Sequence, residues 1–193
     1  SGPLNTVECL TMGDISASWL ALAPMKEKRT RLCAVVVGGR VLAMGGSPNG
    51  YSDLSSTECD LSSTEWYDVG GNVWSDGPPM VTARYVFASG VIGSDVYVAG
   101  GYGLKSCERL QDGRWSAIAD LPYAVYYCAG ACVDGLFYVC GGTGGTNGAQ
   151  VARYSPAAGG WSEVASLPSA RYGASACGGC IVLTGGNANE VLV

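Results

Sequence analysis

The sequence predicts an all-β chain built from repeated four-stranded antiparallel sheets, and two observations carry that reading. Trp19, Trp74, Trp115 and Trp161 each open a unit, and each unit closes on a glycine pair: Gly45-Gly46, Gly100-Gly101, Gly141-Gly142 and Gly185-Gly186. Ten residues after each tryptophan stand Arg29, Arg84, Val125 and Arg171. From that position to the first closing glycine is sixteen residues in three copies and fourteen in the last. A period of roughly 40–55 residues with short β-rich runs is the signature of propeller blades. Thirty glycines punctuate those runs as turns.

The elements follow in order. Thr6 to Met12 and Ser18 to Ala23 read as the first two strands, with Pro24-Met25 turning the chain. Arg29 to Val37 is a β-rich run, Gly38-Gly39 a hairpin turn, and Val41 to Met44 a buried apolar strand. Ser47 to Ser63 is the longest connection, rich in Ser, Asp and Gly. Its acidic residues Asp53, Glu58 and Asp60 lack the ligand order of a calcium loop and read as solvated. Glu65 to Val69 is a strand, Gly70-Gly71 a turn, and Val73-Trp74 opens the next strand.

Arg84 to Val91, Val96 to Ala99 and Ser106 to Leu110 repeat the pattern, and Asp112-Gly113 turns into Trp115 to Ile118. Val125 to Val133, a turn at Asp134-Gly135, Phe137 to Cys140, Val151-Tyr154 and Trp161 to Val164 form the next unit. Arg171 to Cys177, Ile181 to Thr184 and Glu190-Val193 follow. Each unit is thus a set a-b-c-d, with a after the arginine, b ending in Gly-Gly and d starting at tryptophan. A single such sheet exposes two apolar faces, so neighbours must stack. The Gly-Gly pairs then suit strands crowded near a central axis, and the tryptophans supply apolar area between blades.

These units resemble kelch repeats. The resemblance rests on Gly-Gly after an apolar strand, Tyr67 and Tyr154 near the end of strand c, Trp74 and Trp161 about six residues later, then Pro and Arg. It spans nearly the whole of residues 1–193, with repeat cores at about 19–46, 74–101, 115–142 and 161–186. Val125 departs from it in place of Arg, as do Leu110 and Leu10 in place of the tyrosine. It implies a kelch-type β-propeller. The strand count, c-d, three full sets, then a-b-c, predicts part of a larger ring or one completed by another chain.

Composition narrows function. Histidine is absent, which removes Ser-His-Asp and Cys-His catalysis and histidine-containing metal sites. A net charge of −5 argues against nucleic acid or an acidic membrane as partner, although Lys26, Lys28, Arg29 and Arg31 make one basic turn. No apolar run approaches a membrane span. The nine cysteines are odd in number and several fall within strands, which predicts reduced thiols in an intracellular, cytoplasmic protein. Cys177 and Cys180 read as thiols flanking the Gly178-Gly179 turn rather than as a metal or redox pair. Gly141 to Gly148 lacks the lysine of a phosphate cradle and reads as a b-c loop. No cofactor, metal or catalytic residue is expected.

The partner-binding candidates come from register. The starts of a strands and the residues after Gly-Gly share one end of every blade. Arg29, Arg31, Arg84 and Arg171, Tyr85, Tyr126 and Tyr172, and Ser47, Tyr102, Thr143 and Asn187 therefore encircle one channel mouth. Arginine, tyrosine and small hydroxyls suit an acidic or polar peptide. The competing reading is that a repeated arginine braces its blade through backbone carbonyls. The kelch resemblance implies a non-catalytic protein-interaction module, such as a substrate-recognition or adaptor domain of a ubiquitin ligase. The alternatives are an isomerase-type kelch enzyme, or a structural repeat that self-associates through open blade edges.

Overall fold

The computed structural model describes residues 2–10, 18–49, 60–145, 148–177 and 181–185. The expected Gly178-Gly179 turn, Cys180, Asn187 and the Glu190-Val193 strand lie outside them, as do Asp53 and Glu58. Eighteen strands are assigned within these residues, and no helix is among them.

Three four-stranded antiparallel sheets follow one another. The first holds β3 (Cys33–Val37), β4 (Arg40–Met44), β5 (Thr64–Asp68) and β6 (Val73–Gly77) in that order. The second holds β7 (Ala88–Ile92), β8 (Asp95–Ala99), β9 (Cys107–Gln111) and β10 (Arg114–Ile118). The third holds β12 (Ala129–Val133), β13 (Leu136–Cys140), β15 (Val151–Ser155) and β16 (Gly160–Glu163). At one end of the chain β1 (Val7–Leu10) pairs with β2 (Trp19–Leu22), and at the other β17 (Ala174–Cys177) pairs with β18 (Val182–Gly185). Two short strands, β11 (Val125–Tyr126) and β14 (Thr143–Gly144), pair beside the third sheet. This is the all-β, four-stranded blade architecture that the repeats predict.

Sheets stack through their first strands: β3 packs on β7, β7 on β12 and β12 on β17. Strand a is therefore innermost. Each b strand is buried on both faces, and its alternation divides it between two blade interfaces. Leu42 and Met44 of β4 enter the core shared with the second blade, while Ala43 faces the β1–β2 side. Val96 and Val98 of β8 join the former core, and Tyr97 and Ala99 the core of the second and third blades.

Two expectations change. The a strands begin four residues later than the β-rich runs suggest, three in the last, because Arg31, Val86, Tyr127 and Gly173 all take positive φ between 52° and 70°. Each lies two residues after the Arg/Val position and kinks the chain before the strand. Nor do the Gly-Gly pairs relieve crowding on the axis, since b is second from it. A side chain at Gly45 would collide with the Arg84 carbonyl oxygen of the next blade. The Gly46 amide instead donates to that carbonyl at 2.9 Å, as Gly101 does to Val125 and Gly142 to Arg171. The innermost crowding falls on Gly90 and Gly130 of the a strands, where a Cβ would strike Cys132 and Ser89 respectively.

The hairpins obey local chemistry. Gly38 and Gly39, Asp112 and Gly113, and Asp134 and Gly135 all have positive φ, the type I′ geometry whose twist matches the flanking strands.

Candidate functional site: the channel mouth

The repeated arginines join one blade to the next. The Arg84 amide donates to the Leu61 carbonyl of the first blade, and its own carbonyl accepts from Gly46. Its side chain runs the other way. Nη1 donates to the carbonyls of Gly100 and Ser106 at 2.6 and 3.0 Å, and Nη2 to Ser106 Oγ at 3.3 Å. Nη2 also pairs with Glu108 Oε1 at 2.7 Å. Arg29 repeats this with the Gly45 and Ser63 carbonyls and Glu65. Glu65 and Glu108 accept further bonds from the amides of Lys26 and Glu27, and of Val81 and Thr82.

Arg29, Arg84 and Arg171 are 3%, 0% and 1% exposed. That corrects the expectation that they face the mouth: their guanidinium groups lie inside the blades, so the bracing reading holds for Arg29 and Arg84. In the third blade Val125 replaces Arg, and Ala152 stands where strand c otherwise carries Glu. Both are 0% exposed within one apolar cluster. Each of the three complete blades keeps both charges or neither, as expected when one buried charge without its partner is costly.

Removing these arginines leaves a tyrosine-lined mouth. The predicted convergence of a-strand starts and post-Gly-Gly residues is seen directly, since Thr30 bridges to Ser47 and Tyr126 pairs with Thr143. Tyr85 stacks on Tyr102 with centroids 5.6 Å apart. Tyr102 meets Tyr126 edge-on at 4.9 Å, and Tyr126 meets Tyr127 at 5.6 Å. The Arg31 guanidinium lies 5.7 Å from the Tyr85 centroid, a cation–π contact.

Tyr102 and Tyr172 are 38% and 50% exposed. Ser47 and Thr143 are half-buried between their bridging strands. Burial pushes the Tyr85 hydroxyl above its usual range, with Asp60 and Tyr102 adding to the shift and Arg31 opposing it. Burial also raises the Asp60 carboxyl.

Sequence reasoning missed Tyr127 and the backbone girdle beneath this ladder. Val86 N donates to Arg31 O at 3.1 Å, Tyr127 N to Val86 O at 2.8 Å, and Gly173 N to Tyr127 O at 2.8 Å. One left-handed residue per blade thus hydrogen-bonds the next around the channel. Only Gly173 advertises such a conformation. A β-branched valine at positive φ is an outlier in sequence terms.

The described cysteines Cys9, Cys33, Cys107, Cys128, Cys132 and Cys140 are free. No group of three or more His, Cys, Asp or Glu among the described residues could hold a metal ion. No described helix is long and apolar enough to cross a membrane.

A kelch-motif family model matches residues 28–81, the span from the basic turn through the first full blade. This is a kelch-repeat chain. Its kelch region is 29% identical over 173 residues to human Kelch-like protein 34, covering 80% of this chain and 27% of that protein. It is 30% identical over 149 residues to Kelch-like protein 40 of Xenopus laevis, covering 70% and 24%. The chain spans about a quarter of the length of these curated relatives. In three dimensions it is similar to YjhT, with a TM-score of 0.76 at 14% identity over 94% of this chain and 66% of the other. That likeness concerns the fold, a kelch-type β-propeller.

Proposed function

We propose that this kelch region is a non-catalytic protein-interaction module whose channel mouth takes a peptide segment of a partner protein. The observation that carries the reading is the aromatic ladder Tyr85–Tyr102–Tyr126–Tyr127, with Arg31 at one end and exposed Tyr172 nearby. Rigid tyrosines give contact area at small entropic cost, and a cation beside them favours acidic or polar side chains. The kelch-like relatives support a protein partner, and a substrate-recognition or adaptor role within a longer protein fits that company. Glu65 and Glu108, the buried strand-c carboxylates, are occupied in bracing, which weakens the isomerase reading. Free thiols suit a reducing compartment such as the cytoplasm.

An array of acidic, neutral and basic peptides tests this. The native chain should prefer acidic peptides. Tyr102→Ser and Arg31→Gln should each lower that signal by about tenfold, with circular dichroism unchanged. Binding that ignores peptide charge, or survives both substitutions, would overturn the proposal.

A further inference from the structure

Beside Tyr85 the chain is knit to itself by its backbone. Thr30 bridges to Ser47. The Gly46 amide donates to the Arg84 carbonyl at 2.9 Å, the Leu61 amide to the Gly46 carbonyl at 2.9 Å, and the Arg84 amide to the Leu61 carbonyl at 3.2 Å. Arg31 follows Thr30, Tyr85 follows Arg84 and Asp60 precedes Leu61. These bonds therefore fix Asp60 close to the ladder and its cation. Asp60 and Arg31 both act on the Tyr85 hydroxyl, with opposite sign.

The surroundings of this carboxylate are unlike those of its counterparts. The other described carboxylates that the fold takes out of water are Glu65, Glu108 and Asp95, and each faces an arginine. Glu65 pairs with Arg29 at 2.9 Å, Glu108 with Arg84 at 2.7 Å, and Asp95 lies 4.0 Å from Arg109. Asp60, which the sequence reads as solvated, is half-buried as well. Yet its carboxylate takes no hydrogen bond and no ion pair from the described residues. Burial alone raises it above its usual range, since nothing compensates the lost water. A half-buried carboxylate without a partner, beside a binding surface, is an acceptor for what binds there.

We propose that Asp60 is the second charge by which the mouth reads its partner, accepting a lysine or arginine side chain from the segment whose acidic residue goes to Arg31. This rests on the peptide-binding reading of the mouth and narrows it to segments that carry both signs. The ligand's cation gives Asp60 the pairing that Arg29, Arg84 and Arg109 give the other three. The neighbouring tyrosine rings favour the same charge through their faces. Because Arg31 and Asp60 both reach Tyr85, and an extended chain advances about 3.3 Å per residue, the two ligand charges belong within a few residues of each other.

Fluorescence anisotropy with two sets of short labelled peptides tests this. Both sets carry a central glutamate. One walks a lysine through the other positions, and the other places glutamine there. The native chain should bind the best lysine peptides about fivefold more tightly than their glutamine twins. Asp60→Asn should abolish that preference and Asp60→Lys reverse it, with circular dichroism unchanged. Asp112→Asn, in the β9–β10 turn at the far end of its blade, should keep it. A native chain that binds both sets alike, or a lysine preference that survives both Asp60 substitutions, would overturn the inference. Exchanging the central glutamate for glutamine in the lysine-free set reads the mouth itself. Binding that ignores that exchange would overturn the peptide-binding reading, and this inference with it.

Discussion

Arg84 and Glu108 are 0% and 1% exposed and pair inside the second blade, while the Arg84 backbone bonds to the first. Their worth is measurable against the blade that dispenses with them. Arg84→Ala leaves Glu108 buried without its cation and should cost about 3–5 kcal/mol of unfolding free energy. Arg84→Val with Glu108→Ala copies the Val125/Ala152 arrangement and should cost clearly less than the sum of the single changes in a denaturant double-mutant cycle.

The buried thiols set an alkaline limit. Burial pushes Cys33, Cys107 and Cys132 from an ordinary 9.0 to about 11, and Cys140 to about 12. In the fold these thiols hold their protons; unfolded, they release them above pH 9. Their contribution is therefore fully present below pH 9 and lost as pH rises through the folded values. Denaturant midpoints should stay flat with respect to these thiols up to pH 9 and fall between 9 and 12.

At the scale of the element, closing glycines differ from turn glycines although both have positive φ. A Cβ on Gly142 would lie 2.6 Å from Val125 Cγ2 and 2.8 Å from the Tyr126 carbonyl, whereas one on Gly113 meets nothing within 4 Å. Gly113→Ala should thus cost about 1–2 kcal/mol, the left-handed penalty alone. Gly142→Ala should cost about 1–3 kcal/mol more through overpacking. Thermal melts of the two variants give the comparison. Most strand positions were legible in the sequence, because period-2 alternation and Asp-Gly or Gly-Gly turns act over a few residues. The strand starts after Arg29, Arg84 and Val125 were not. Their kinks at Arg31, Val86 and Tyr127 answer to backbone groups one blade away.

The whole molecule is an arc held by neighbour contacts, and its inner girdle spans three blade junctions. The amides of Val86, Tyr127 and Gly173 lie outside the strands yet are hydrogen-bonded across blades. Hydrogen exchange should show them as protected as strand amides and released only when adjacent blades open. Free exchange at these three amides would show that the girdle does not persist in solution.

The candidate site divides along the same line. That a-strand starts and post-Gly-Gly residues share one mouth could be read from strand direction alone, and the Tyr85–Tyr102–Tyr126 ladder agrees with it. Which of those residues turn outward could not, since Tyr85 is buried like Arg84 while Tyr102, at the matching end of the next strand, is exposed.

The sequence by itself determined the all-β repeat, the blade as its unit and the kelch character, because spacing, turn residues and alternation are local properties of the chain. The tertiary structure alone decided that Arg29 and Arg84 are braces, that Gly-Gly admits the next blade's carbonyl, and that Tyr127 completes the aromatic mouth. Each of these depends on acceptors or rings supplied by residues distant in sequence, and only stacking the blades brings them within reach.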